Sequence, residues 1–349
     1  MGMAKKSSLD LVTHNPTVKV VAAGAVASGG ALAAGKLVRD RAAERAARRR
    51  TRFRLAPDEG AADGLRRIAR GQIELASDLL KTGGDDVAEA VHEARKSLKR
   101  LRAVVRLARD ELGDEVYRTE NHAYRDTGRE LSAARDAQVL GETLDALTKR
   151  YRREIGDDAF AGLREALDAD AKAAHDRIAA DAGAVEEVRT GLEAARDRVA
   201  TWPLPEHRDA SMLAPGFERV YKRGRRALKA ARQDPTDENL HELRKRAKDL
   251  WHAAQVLRPT SPGRMKRLAK RAHALSDLLG DDHDLAVLLD AARERHRTLG
   301  RGELALLRGL VGRRRARLQR AALACAKRVY GPKPRAWTAR ISKSAAAHA

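Results

Sequence analysis

Cationic side chains recur along residues 91–112, VHEARKSLKRLRAVVRLARDEL, at a spacing that places them on one helix face. His92, Arg95, Lys99, Arg102, Arg106 and Arg109 step by three and four. Guanidinium and ammonium groups donate charge-assisted hydrogen bonds, so the chemistry of such a row is recognition of anionic oxygen. At about 1.5 Å per residue the row runs for about 25 Å, too long for one phosphate or one small carboxylate and suited to an extended polyanion. One residue earlier, Val91, Ala94, Leu98, Leu101, Val105, Ala108 and Leu112 take the same steps and mark the stripe a helix buries. The two rows lie about 100° apart, so the basic row borders the core.

The elements that hold this row are expected to be helices throughout. Of the 349 residues 43% are apolar, enough for one large or two ordinary domains, while only 3% are aromatic and 34% are charged, a balance that favours Ala/Leu/Arg/Glu helices over sheet. Lys and Arg number 71 against 49 Asp and Glu, a net charge of +22. That excess calls for a polyanionic partner: nucleic acid, polyphosphate or an anionic membrane surface. A single cysteine, Cys325 within AALACAKRVY, excludes an intramolecular disulfide and a Cys-based zinc site, and reads as a small core residue.

Residues 1–52 stand apart as a basic leader. Between Lys19 and Lys36 it carries VVAAGAVASGGALAAG, 16 uncharged residues. Such a run is shorter and richer in Gly than the roughly 20 apolar residues of a spanning helix. Attachment to a membrane or granule surface, helix packing through small residues, and a loosely ordered leader are its three readings. Farther on, helix breaks are expected at KTGGDD (81–86), LGD (112–114), IGDD (155–158), TWPLPEH (201–207), RQDPTDE (232–238), RPTSPG (258–263) and LGRGE (299–303). Asp85 with Asp86, and Thr236 with Asp237, are candidate caps.

The chain also repeats itself. VHEARKSLKRL from Val91 is echoed by LHELRKRAKDL from Leu240, which sets His92 over His241, Arg95 over Arg244, Lys96 over Lys245 and Lys99 over Lys248. The second copy has its own core stripe (Leu240, Leu243, Ala247, Leu250, Ala254, Leu257) and polar row (His241, Arg244, Lys248, Trp251, Gln255, Arg258). Trp251 and Gln255 stand where the first copy has Arg102 and Arg106, which weakens the second track. LSAARDAQVL (131–140) likewise matches LGDDHDLAVL (279–288), with Asp136 over Asp284 and Arg135 over His283. A duplication of about 150 residues predicts pseudo-two-fold architecture. Matching faces should meet, so the two basic edges are expected to form a shared groove. Arg118, His122, Arg125 and Arg129 on the following helix extend the first edge, as Lys266, Lys270 and His273 extend the second.

These paired motifs, with VYKRGRRAL (220–228), resemble the CHAD family, the conserved histidine α-helical domains. The likeness covers residues 53–330, in halves of about 53–200 and 213–330, and leaves a tail at 331–349. The resemblance implies an all-α bundle of two pseudo-symmetric four-helix halves with a basic central pore that binds inorganic polyphosphate. Carried over by position, the binding residues would be His92, Arg95, Lys96, Lys99 and Arg102 with His241, Arg244, Lys245 and Lys248; Tyr221, Arg223 and Arg226 fit the VYKRGRRAL segment. Arg106 and Arg125 join them from the row spacing. Some relatives carry a triphosphate-tunnel catalytic domain marked by an alternating Glu-x-Glu-x-Lys strand, and no such motif occurs in this sequence.

The expectation is therefore a non-catalytic polyphosphate-binding protein without cofactor, cytoplasmic, at polyphosphate granules or a membrane surface reached through residues 1–50. His92 and His241 open the two rows, where a neighbouring polyanion favours the protonated imidazole; the alternative is that each braces its helix. The pair His283 and Asp284 superficially resembles a metal-dependent phosphohydrolase motif. The first copy reads RD at that place and would lose a ligand, so Asp136 and Asp284 are expected to pair with the basic rows, with no metal. A nucleic-acid-binding or chromatin-associated protein is the alternative; few aromatic residues are available to stack on bases.

Overall fold

The structure, a computed structural model, describes residues 53–345 except 58, 83–86, 131–132, 157, 181, 207–208 and 296–298. Among these residues the chain is entirely helical. Eleven α-helices follow in order: α1 Ala61–Thr82, α2 Val87–Leu107, α3 Arg109–Glu130, α4 Ala133–Tyr151, α5 Ala161–Ala180, α6 Ala182–Ala200, α7 Ala214–Gln233, α8 Asp237–Val256, α9 Pro262–Glu294, α10 Arg301–Tyr330 and α11 Arg335–Ala345. Short 3-10 turns precede α7 (Ala210–Leu213) and α9 (Arg258–Thr260).

Local chemistry explains the punctuation. Thr236 caps α8, its hydroxyl accepting from the Asn239 N–H at 3.3 Å. Pro215 and Pro262 lie in the first turns of α7 and α9, where a missing N–H costs nothing. Gly113 takes φ 77°, a left-handed conformation that kinks α3 after its first turn. The Asp85 and Asp86 caps and the leader lie outside the described residues. Among the described residues one interruption was not signalled by Gly or Pro, that between α2 and α3 at Ala108.

Helices α1, α2, α3 and α6 pack as one ring of neighbours, and α7, α8, α9 and α10 as another. The α4–α5 hairpin lies against α9 and α10. Both core stripes are buried as expected: Val91, Ala94, Leu98, Leu101, Val105, Ala108 and Leu112 in the first copy, Leu240 through Leu257 in the second. Burying a Leu or Val side chain contributes about 1.5–3 kcal/mol, whereas the basic heads beside them keep their contact with water, so one helix serves both rows. The larger core runs through both rings, joining Leu98 and Phe217 to Leu250 and Tyr330; a smaller core fills the space between the α4–α5 hairpin, α9 and α10. A backbone bond from Leu55 N–H to the Val256 carbonyl, 3.0 Å, ties the start of the first half to the end of α8.

Two expectations need correction. The basic row does not reach Arg109 in one helix: α2 ends at Leu107, and Arg109 opens α3, where it pairs with Asp114 at 2.8 Å and its guanidinium lies 4.7 Å from the centre of the Tyr117 ring. The segment after Tyr330 is not a separate tail. Trp337 and Ile341, four apart on α11, are buried in the larger core against α7.

Candidate cationic cleft

The two copies of the repeated motif line a single cleft of about 730 Å³. From α2 come His92, Arg95, Lys99, Arg102 and Arg106; from α8 come His241, Arg244, Lys245, Arg246, Lys248, Asp249 and His252. Helix α9 adds His283, Asp284 and Val287, and α4 adds Val139 and Leu140. Positions matched in the sequence therefore line the same cleft: His92 and His241, Arg95 and Arg244, Lys99 and Lys248, and Val139 and Val287. Eight Lys and Arg side chains face two carboxylates, and both carboxylates are engaged. Asp284 lies 3.7 Å from Arg244, the pairing expected of it, and Asp249 accepts from Arg106 at 2.8 Å. Side-chain detail at Asp136 lies outside the described residues.

Crowding of like charges and burial shape the electrostatics. Burial, followed by the neighbouring Arg244 and Lys99, lowers the Lys248 ammonium to about 8. Burial and then the adjacent Arg106 lower Arg102 to about 10. His241 is lowered to about 4, by burial first and then by His283, whose ring centre is 4.5 Å away. Its Nδ1 is buried without a hydrogen-bond partner. His252, wholly enclosed, is lowered to about 3 and stays neutral; its ring stacks on Trp251 at 4.6 Å. Burial is the first cause of each of these shifts and a neighbouring charged or titratable group a further one; an anion in the cleft counters the cationic part. Room for the Arg244 guanidinium comes from Gly280, where a Cβ would stand 3.2 Å from it.

The remaining expected residues lie elsewhere. Lys96 turns from the cleft to pair with Glu93. Arg125 lines an adjoining recess of about 260 Å³ that shares Arg95, Lys99 and Arg102 with the cleft, and it donates to Asp126 at 2.8 Å. Tyr221 is fully buried, its hydroxyl 3.0 Å from the Val329 and Pro332 carbonyls, so its role is in the core. Arg223 lies in a small recess on the α7 side, and Arg226 lines a separate basic hollow of about 650 Å³ between α7 and α10. Trp251 leaves the polar row and stacks on His273 at 3.9 Å. Sequence reasoning missed Arg246, Asp249 and His252. The signal for His252 was its position four residues after Lys248, and for Arg246 and Asp249 the i, i+4 pairing of Arg246 with Glu242 and its i, i+3 pairing with Asp249.

Among the described residues no three or more His, Cys, Asp or Glu side chains are placed to hold a metal ion, and no helix is long and apolar enough to cross a membrane. Fold and cleft together define an all-helical protein whose two sequence repeats supply one cationic wall. The CHAD domain family model matches residues 67–293, and the chain belongs to that family. The crystal structure of the CHAD domain from the plant Ricinus communis superposes with a TM-score of 0.55 at 21% identity, covering 84% of this chain and 96% of that one, and shares its fold. No curated protein matches.

Proposed function

We propose that this protein binds inorganic polyphosphate without catalysis, along the cleft between α2 and α8. The observation that carries the reading is the convergence of four repeat-matched pairs on one cavity rich in Lys and Arg. Polyphosphate carries about one negative charge per internal unit, and its oxygens accept from the forked guanidinium groups of Arg95, Arg102 and Arg244 and from the ammonium groups of Lys99 and Lys248. CHAD domains bind polyphosphate in general terms, which supports the same ligand. The leader, residues 1–52, would bring the cytoplasmic protein to a granule or membrane surface; unchanged distribution after deletion of residues 1–50 would remove that part of the reading.

The test is retention of long-chain polyphosphate by the full chain at physiological salt, with duplex DNA as competitor at equal phosphate concentration. Binding should weaken steeply with salt through counterion release and survive the DNA. Displacement by DNA would favour a nucleic-acid-binding protein. Release of phosphate on adding Mg²⁺ or Mn²⁺ would point to an enzyme.

A pH dependence follows from Lys248. The free ammonium titrates at about 8, and a bound polyanion raises it, so binding takes up a proton above that pH. Affinity should be level below about pH 8 with respect to this group and then fall by about tenfold per pH unit as pH rises toward the bound-state value. Calorimetric titrations between pH 7 and pH 10 check this. Lys248→Arg should flatten the profile, because arginine keeps its proton throughout.

A further inference from the structure

Many surface cations of this chain answer a carboxylate on their own helix: Lys172 with Asp176, Arg189 with Glu186, Lys222 with Glu218 and Arg293 with Asp290. The basic hollow of about 650 Å³ between α7 and α10 departs from that habit. Arg225, Arg226, Lys229 and Arg232 line it from α7 and Lys327 from α10, with no carboxylate among the lining residues. Arg225 donates to the Pro332 carbonyl at 2.9 Å. Among the described residues the other four have no ion-pair partner. Neither helix can supply one locally, since no Asp or Glu occurs from Lys222 to Gln233 or from Leu304 to Tyr330.

Arg232 and Lys327 lie in the last turns of their helices, where a cation answers the negative helix end. That account does not extend to Arg226 and Lys229, which stand before the last turn of α7. Lys229 is three or four residues from each of Arg225, Arg226 and Arg232, so three like-charge pairs share one helix face. Such pairs destabilise a helix unless an anion lies between them. The apolar side of the hollow is fixed: Leu228 and Tyr330 are buried, and the Tyr330 ring lies against α7 at Gly224, where an added Cβ would stand 2.2 Å from it.

We propose that this hollow is a second anion site, separate from the cleft, which takes one compact molecule carrying three or more phosphate groups. Its size is that of a small-molecule pocket. From Arg225 to Arg232 the α7 cations span about 10 Å, a fraction of the row on α2, which suits a few phosphates and not a long chain. Donors come from two helices, so the phosphates are held from more than one side. Gln233 is the one uncharged polar side chain in the lining, so recognition rests on the phosphates and little on the group that bears them. A nucleoside triphosphate, an inositol polyphosphate and a short inorganic chain share that chemistry. The site stands whether or not the cleft takes polyphosphate.

Calorimetric titration of the full chain carrying Arg95→Ala/Lys99→Ala/Arg244→Ala/Lys248→Ala isolates the hollow from the cleft. The probes are adenosine triphosphate, inositol hexakisphosphate and inorganic tripolyphosphate, and the tightest of them identifies the source. At least one should bind at one molecule per protein. Adding Arg226→Gln/Lys229→Gln/Lys327→Gln should weaken it at least about tenfold, whereas Arg152→Gln/Arg153→Gln/Arg308→Gln, an equal loss of exposed charge elsewhere, should leave it unchanged. Lys229→Gln alone, in the otherwise unaltered chain at low salt, should raise the midpoint of thermal unfolding by about 1–2 °C, because all three like-charge pairs are relieved. Absence of saturable binding by every probe, equal losses in the two triple variants, or a lowered midpoint for Lys229→Gln would overturn the proposal.

Discussion

The variant Arg95→Ala/Lys99→Ala/Arg244→Ala/Lys248→Ala is expected to lose polyphosphate binding by at least about a thousandfold. Each of these residues lines the cleft, and they form two repeat-matched pairs. A hydrogen bond to a charged group contributes about 1.5–3 kcal/mol, and a thousandfold loss corresponds to about 4 kcal/mol, so the four need supply only part of their separate worth even where they are coupled. Calorimetric titration at two salt concentrations measures the loss, and the salt dependence should flatten with it, because fewer counterions are displaced. The fold should survive, since none of the four belongs to a core stripe. A variant that bound as tightly as the wild type, or that lost DNA and polyphosphate binding alike, would assign the affinity to a general basic surface.

Among the described glycines, Gly216→Ala should be the most damaging substitution by one methyl group. A Cβ at this position would stand 1.8 Å from the Leu107 carbonyl oxygen, far inside any allowed contact. That oxygen is backbone at the end of α2, so no side chain can rotate away; α7 must lift from α2, opening the larger core where Phe217 and Leu213 are buried. Overpacking of a tight core costs about 1–3 kcal/mol and occasionally more, and this contact belongs at the upper end. The midpoint of thermal unfolding should fall by roughly 5–10 °C for a chain of this size. Gly191→Ala is the matched control: on α6, with nothing within 4 Å of its added Cβ, it should gain up to about 1 kcal/mol from helix propensity. Equal effects at the two glycines would show that α7 does not rest on Leu107.

Much of the fold could be read along the chain because its signals are local. Periodicity of three and four marked both core stripes, and every residue of each is buried. Gly, Pro and Asp clusters marked the ends of α1, α4, α6, α7, α8 and α9, because these residues favour turns wherever they stand. The break between α2 and α3, which has no such cluster, escaped, and so did α11. Its burial depends on Trp337 and Ile341 finding a place against α7, which no stretch of eleven residues can announce.

The candidate site divides along the same line. Arg95, Lys99, Arg244 and Lys248 were visible as rows because each row lies on one helix, and the match between copies suggested that the rows would face each other. Tyr221 and Lys96 share their motifs' spacing with cleft residues and still point elsewhere, one to two carbonyl oxygens and the other to Glu93. By itself the sequence determined which faces are apolar, which are cationic and that the pattern occurs twice, since these follow from residue type and helical pitch. Only the tertiary structure decided which cations share one cavity, that Lys248 and His241 are enclosed and crowded enough to lose their ordinary proton affinities, and that Asp249 lies between Arg106 and Arg246. Charge interactions and enclosure depend on distances across helices remote in sequence, and packing alone sets those distances.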